Sequence, residues 1–392
     1  MFPERFSNLP AYAFPRLRSL LDSHEPGGPV VHMTIGEPKH AFPAWVTEVI
    51  TENAAEFNKY PANDGTPELQ QSIADWINRR FEVQIDPAIQ VMALNGTREG
   101  LYNASMALCP ETKNGEKPVI LVPNPFYQVY MIGAISVNAE PRFCAATADN
   151  GFMPDYTQLP EDVLKRVAIA YVCSPSNPQG AIASRDYLAK LIMLAEKHDF
   201  KVFADECYSE IYREEKPHGA LQVAQELGAD PERVVIFHSL SKRSNLPGLR
   251  SGFVAGGPET LKHIKRLRAY AGAPIPLPLQ RASEKVWADE VHVEENRRLY
   301  AEKFDIADEI FADIPGYMKP QAGFFLWLPV EDGETAALKL WKETGVRVLP
   351  GAYLSRDVNG ENPGKPYIRV ALVAPKNDVK AALITLRDCL YQ

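Results

Sequence analysis

Four short apolar runs punctuate the middle of the chain, at residues 119–122 (VILV), 168–172 (AIAYV), 202–204 (VFA) and 234–237 (VVIF). Runs of this length without polar alternation fit strands buried on both faces. Between the second and third, Leu188, Leu191, Ile192 and Ala195 recur at helical spacing behind Ser184, a residue suited to cap that helix. The last three runs begin at residues 168, 202 and 234, the spacing of strand–helix–strand units. This pattern predicts an α/β fold with a mostly parallel sheet covered by helices on both sides. Thr66-Pro67-Glu68-Leu69 opens another helix: Thr66 caps it, Pro67 suits its first position, and Leu69, Ile73 and Trp76 follow on one face.

The texture changes after residue 285. A charged helical stretch from Asp289 to Phe311 leads into the run 323–328 (GFFLWL), a helix near residues 335–344 and a second strand-like piece, 367–373 (YIRVALV). This predicts a smaller α+β unit. The chain thus divides into an N-terminal arm, residues 1–40, packing on the small unit, a large domain, 41–285, and a small C-terminal α+β domain, 286–392.

Composition narrows the class. The 392 residues are 45% hydrophobic and 23% charged, the balance of a folded globular chain. A net charge of −8 argues against a general nucleic-acid binder, which needs a basic face. No run approaches the ~18 apolar residues of a membrane span, so no membrane association is expected. The opening MFPER lacks a basic stretch followed by an apolar one, so no signal peptide is expected either. The five cysteines are odd in number, far apart and without a CxxC pair, which fits free thiols in a reducing, cytoplasmic setting. The histidines are scattered, and no metal site is expected.

Candidate chemistry gathers after the apolar runs. Ser239-Leu240-Ser241-Lys242, followed by Gly248-Leu249-Arg250-Ser251-Gly252, comes directly behind the run 234–237. A lone loop lysine is usually just solvated. Here, however, two hydroxyls and an arginine stand beside it at the carboxyl end of a strand, where ligands enter an open α/β sheet. Those groups can gather a phosphate, and a lysine beside a phosphate site suits an aldehyde cofactor with a phosphate handle. Asp205 ends the run 202–204, with Tyr208 three residues on. Alone it would be a turn cap; in this company it can hold a pyridinium nitrogen protonated. Ser174-Pro175-Ser176-Asn177-Pro178-Gln179-Gly180 brings an amide to the same sheet edge. Asn95-Gly96-Thr97-Arg98 opens a helix, whose backbone N–H groups can bind phosphate. Pro123-Asn124-Pro125-Phe126-Tyr127 puts an aromatic at a strand end.

Together these segments resemble the fold-type I pyridoxal-phosphate enzymes, specifically the class I/II aminotransferases, in family order from Tyr12 to Val373. The most specific part is Ser-x-Ser-Lys followed by Gly-x-Arg-x-Gly. The resemblance implies a large domain with a mostly parallel seven-stranded sheet, pyridoxal 5'-phosphate as cofactor, and a homodimer with shared active sites. It makes Lys242 the Schiff-base lysine, which would move a proton between the substrate Cα and the cofactor. Asp205 would pair with the ring nitrogen, Asn177 and Tyr208 would bond the ring oxygen, and Tyr127 would stack on the ring. Gly96, Thr97, Arg98, Ser239, Ser241 and Arg250 would surround the phosphate, joined by Tyr60 from the partner subunit. Arg369 would grip the substrate α-carboxylate, with Asn177 beside it, and Gly36 would lie in a loop closing over the substrate.

Longer strings, among them IGEPKH (35–40), NPFYQVY (124–130), ADECYSEIY (204–212) and FHSLSKRSN (237–245), are similar to the succinyldiaminopimelate aminotransferases. They imply transfer between N-succinyldiaminopimelate and 2-oxoglutarate in lysine biosynthesis. Two features depart from the general family: Arg243-Ser244-Asn245 follows the lysine where an aromatic is common, and residues 272–279 are rich in proline. Arg243, Arg98 and Lys39 are the candidate cations for a distal carboxylate. The alternatives are an aspartate, alanine or broad-specificity aminotransferase and, more remotely, a pyridoxal-phosphate lyase on the same fold. A cofactor-sensing regulator would need a DNA-binding domain ahead of this fold, and only about 35 weakly charged residues precede the Gly36 loop.

Overall fold

A computed structural model describes residues 3–7 and 9–392. Its strands in chain order are β1 (Val31–His32), β2 (Val91–Leu94), β3 (Val119–Asn124), β4 (Glu140–Ala145), β5 (Val167–Cys173) and β6 (Lys201–Asp205). They continue with β7 (Val234–Ser239), β8 (Gly252–Gly256), β9 (Phe325–Pro329), β10 (Val346–Arg347), β11 (Leu349–Pro350) and β12 (Tyr367–Ala371). Seven strands form the main sheet in the order β2-β8-β7-β6-β5-β3-β4. All its pairings are parallel except those of β8, which runs antiparallel to both β2 and β7.

All four apolar runs are strands of this sheet, and both its faces are covered. Val234 and Ile236 of β7 enter one apolar cluster, with Leu69, Trp76 and Leu188; Val235 and Phe237 enter another, with Leu101, Tyr130 and Leu261. That two-sided burial explains why the runs carry no polar alternation. The capping residues act as the sequence suggests: Ser184 Oγ accepts from the Tyr187 N–H at 3.1 Å, and Thr66 Oγ1 from the Leu69 N–H at 3.3 Å.

The second layer is a small antiparallel sheet, β11-β12-β9. The helices Gly333–Thr344 and Lys376–Leu390 cover it, and the C-terminal half of Val291–Phe311 adds Tyr300, Phe304 and Phe311 to its core. The charged stretch breaks at Asp289 and Glu290; the preceding helix, Leu277–Ala288, carries Val286 and Trp287 into the cluster of Trp76 under the main sheet. Near the N-terminus, β1 pairs in parallel with β10, and Arg16 meets Glu334 at 2.9 Å. The segment just beyond, residues 33–41, runs along the end of β12, where the Ala371 N–H donates to Met33 O at 2.8 Å.

Candidate active site

The parallel strands end level with one another. Cys173, Asp205 and Phe237 stand side by side in the β5–β6–β7 register. The loops that follow them therefore open together at one sheet edge, facing the small sheet. Between them lies a cavity of about 430 Å3. Its wall includes Gly36, Thr97, Arg98, Tyr127, Asn177, Asp205, Tyr208, Ser239, Ser241, Lys242, Arg250 and Arg369. Twelve of the fourteen residues singled out from the sequence thus converge on one space; Gly96 sits behind Arg250, and Tyr60 is fully exposed and does not line the cavity.

Each side chain has a local cause for its place. Ser239 Oγ accepts from the Ser241 N–H at 3.1 Å and so caps the single turn Leu240–Arg243 that bears Lys242. The Lys242 ammonium donates to the Gly36 carbonyl and lies 5.3 Å from the centre of the Phe324 ring. Burial pulls its pKa down to about 8. Gly36 has no room for a side chain: a Cβ there would run into the rings of Phe324 and Phe325.

Asp205, 5% exposed, receives two hydrogen bonds, from the Tyr130 phenol at 2.6 Å and from the Cys207 N–H at 3.3 Å. Burial, with the Asp205 carboxylate as a second cause, pushes the Tyr130 phenol well above its ordinary pKa, so it stays a donor. Tyr208 is likewise kept protonated by burial, and its ring packs edge-on against Phe324 at 5.2 Å.

At the other end of the cavity the helix Thr97–Leu108 presents its N-terminus. Gly96 precedes it at φ +81°, and a Cβ there would collide with the Arg250 guanidinium. Arg250 itself adopts the left-handed conformation, φ +55°, and donates to Pro247 O at 3.0 Å. Among the described residues no carboxylate pairs with it. A helix N-terminus, two serines and an unpaired guanidinium together form an anion cradle. Arg98 donates to the Tyr127 phenol oxygen at 2.6 Å at the cavity mouth.

Arg369 is 6% exposed and sits on β12, pointing back at the main sheet. It donates to Asn177 Oδ1 at 3.0 Å and to Thr34 O at 2.7 Å, and lies 4.2 Å from the Phe325 ring centre. Its buried Nε has no partner, and burial lowers its pKa to about 10. A buried guanidinium with a free N–H and no acid is suited to receive a carboxylate.

Two candidates for a distal cation fall elsewhere. Arg243 is turned away from the cavity: it donates to Val286 O at 2.9 Å and to the Glu290 carboxylate at 2.8 Å, with its guanidinium near Trp76 and Trp287. Successive residues of a helix point about 100° apart, so Arg243 need not share the direction of Lys242, and adjacency in sequence misleads here. Lys39 is exposed and does not line the cavity, and neither do residues 272–279. Tyr130 and Thr34 also join the site, though no motif marks them. Tyr130 had one available signal, its position three residues beyond Tyr127 on the same helical face; Thr34 contributes only a main-chain carbonyl, which no side-chain pattern reports.

Among the described residues no helix is long and apolar enough to cross a membrane, and no cluster of metal-ligating side chains occurs. The family model "Aminotransferase class I and II" matches residues 28–383. The LL-diaminopimelate aminotransferase of Moorella thermoacetica is 31% identical over 398 residues, covering 98% of this chain and 97% of that protein. A solved aminotransferase from Neisseria meningitidis superposes with a TM-score of 0.94 at 39% identity, covering 99% of each chain. The aminotransferase AspB from Helicobacter pylori does so with a TM-score of 0.90 at 33% identity, covering 97% of this chain and 98% of that one.

Proposed function

This chain belongs to the aminotransferases of class I and II, and we propose that it uses pyridoxal 5'-phosphate to move an amino group from N-succinyldiaminopimelate to 2-oxoglutarate. The observation that carries the reaction class is the convergence of Lys242, Asp205, Arg250 and Arg369 on one cavity.

The donor set fits that cofactor. The cradle formed by Gly96, Thr97, Arg98, Ser239, Ser241 and Arg250 would hold the phosphate. Lys242 would hold the aldehyde, Asp205 the ring nitrogen, and Asn177 with Tyr208 the ring oxygen, with Tyr127 over the ring. When bound, the cofactor supplies an electron-withdrawing ring that stabilises negative charge at the substrate Cα. The chain's own residues do the rest. The Lys242 amine, with its pKa near 8, is neutral in a useful fraction at physiological pH and can take and return a proton at Cα. Arg369 binds the α-carboxylate, and its bonds to Asn177 and Thr34 fix the orientation of its fork. The Tyr130 and Cys207 donors fix the Asp205 carboxylate. The loop at Gly36 and the rings of Phe324 and Phe325 exclude water from one side of the cavity.

The exposed Tyr60 supports a homodimer in which it reaches the partner's cavity. In the same reading residues 41–285 form the cofactor-binding domain and 286–392 the small domain, with residues 1–40 as the arm. The diaminopimelate skeleton is supported by the Moorella relative, an LL-diaminopimelate aminotransferase. That relative also favours a second reading, in which the donor is unsubstituted LL-diaminopimelate. Of the three cations considered for a distal carboxylate, Arg98 lines the cavity.

A half-reaction screen tests this. Cofactor-loaded protein is mixed with N-succinyl-LL-diaminopimelate, LL-diaminopimelate, glutamate, aspartate or alanine, and the loss of visible cofactor absorbance is followed. The succinylated donor is expected to give the highest rate over concentration. A tenfold advantage for the unsubstituted donor would select the second reading, and the same advantage for aspartate would discard both.

A further inference from the structure

Lys303 sits in the helix Val291–Phe311 and is 1% exposed. Among the described residues no carboxylate pairs with its ammonium. Instead Nζ donates to Leu372 O at 3.0 Å and to His40 Nε2 at 2.7 Å, and lies 5.1 Å from the Tyr300 ring centre. Lysine has donors only. His40 must therefore accept at Nε2 and carry its proton on Nδ1, which donates to Asn296 Oδ1 at 2.9 Å. Burial lowers the pKa of His40 and brings that of Lys303 to about 8, in keeping with a neutral ring beside a charged lysine at neutral pH. Asn296 Nδ2 then faces the carbonyls of Lys242 and Arg243, each at 3.4 Å. Asn245 Nδ2 joins the chain, donating to Asn296 Oδ1 at 3.1 Å and to Ala41 O at 3.4 Å.

The chain of bonds has one polarity and connects three pieces of the cavity wall. Leu372 follows β12, the strand of Arg369. His40 lies on the segment whose Gly36 carbonyl receives the Lys242 ammonium. Asn296 reaches the main chain of Lys242 itself. Burying an ammonium without an acid partner is costly. Stability alone does not account for a lysine here; the geometry it enforces does.

We propose that Lys303 and His40 are positioning residues that fix residues 35–41 against the end of β12 and, through Asn296, hold the main chain around Lys242. The inference rests on the cavity's being the transamination site. None of the three residues lines the cavity.

The test uses the cofactor-loaded protein, with glutamate as amino donor, and the variants Lys303→Met, His40→Gln and His40→Phe. For Lys303→Met we expect unchanged visible absorbance; its thermal midpoint sets the relief of a buried ammonium against His40 Nε2 and Leu372 O left without a donor. The glutamate KM should rise up to about tenfold, the reach of a residue that acts on the wall without touching the ligand, with kcat within about threefold. Amide hydrogen exchange should accelerate over residues 33–41 and around Lys242 and not elsewhere. His40→Gln keeps an acceptor and a donor and should exchange like the parent; His40→Phe, which has neither, should behave like Lys303→Met. If Lys303→Met fails to fold, the His40 pair decides. An unchanged KM and unchanged exchange, a global rather than local acceleration, or equal behaviour of His40→Gln and His40→Phe would each overturn the assignment. The exchange readout does not need turnover. A protein without transaminase activity whose variants loosen residues 33–41 as stated would sink the functional reading alone.

Discussion

The Tyr130 phenol donates a 2.6 Å hydrogen bond to the Asp205 carboxylate while its ring lies stacked on Tyr171 at 4.3 Å between centres. The stack fixes the ring, and the ring fixes the donor. Replacing Tyr130 by Phe keeps the stack and removes the donor. Leaving a buried carboxylate one bond short costs about 1–3 kcal/mol. Chemical denaturation should show that loss, and a Tyr130→Phe protein as stable as the parent would contradict it.

Lys242 gives a pH signature. Its pKa of about 8 in the folded chain lies below the ~10.4 of a free lysine. The neutral amine is the nucleophile, so capture of pyridoxal phosphate by the cofactor-free protein should quicken with rising pH and level off above about 8. Between that value and ~10.4 the unfolded chain binds more protons at this group than the folded one. Its contribution to stability is therefore complete above the unfolded pKa and lost as pH falls through the folded one. Stopped-flow absorbance across this range checks the rate, and Lys242→Ala should abolish both the capture and nearly all turnover.

Gly96→Ala should damage the phosphate cradle without removing any polar group. Its φ of +81° disfavours an alanine, and the added methyl would displace the Arg250 guanidinium. Strain in this glycine-only region alone costs about 1–3 kcal/mol. Affinity for pyridoxal phosphate, measured by equilibrium dialysis, should fall about tenfold or more, since strain and a misplaced charged donor add. Retention of parental affinity would remove Arg250 from the cradle.

Arg369→Lys keeps a positive charge but loses the planar fork that reaches Asn177, Thr34 and a carboxylate together. The value of kcat/KM for every amino donor should drop roughly tenfold to a hundredfold, the equivalent of about 1.5–3 kcal/mol for a hydrogen bond to a charged group. Cofactor absorbance should stay. A loss confined to one donor would place Arg369 on the distal group instead.

The sheet was legible because its central strands are buried on both faces and so stand out as unbroken apolar runs. Strands β4 and β8 were not legible in that way. β8 is mostly glycine and alanine around Phe253 and Val254, and β4 is an edge strand with Glu140 and Arg142. The cavity residues were legible wherever a side chain follows a strand, as Asp205 and Lys242 do. Arg243 shows the limit: in a one-turn helix each side chain points about 100° from the last, and no spacing rule in the loop says which of them faces the cavity. The buried partners of the site, Tyr130, Lys303 and Asn296, look like ordinary helical residues until three dimensions bring them together.

Thr34 and Arg369 meet across 335 positions of chain, and β1 waits for β10 in the same way. During synthesis the first strand has nothing to pair with until nearly all of the polypeptide has emerged. The main sheet can collapse earlier on contacts between near neighbours, but its cleft stays open to solvent until the last segments arrive. A nascent or C-terminally clipped chain is therefore left with an exposed N-terminal edge and an unfinished binding wall.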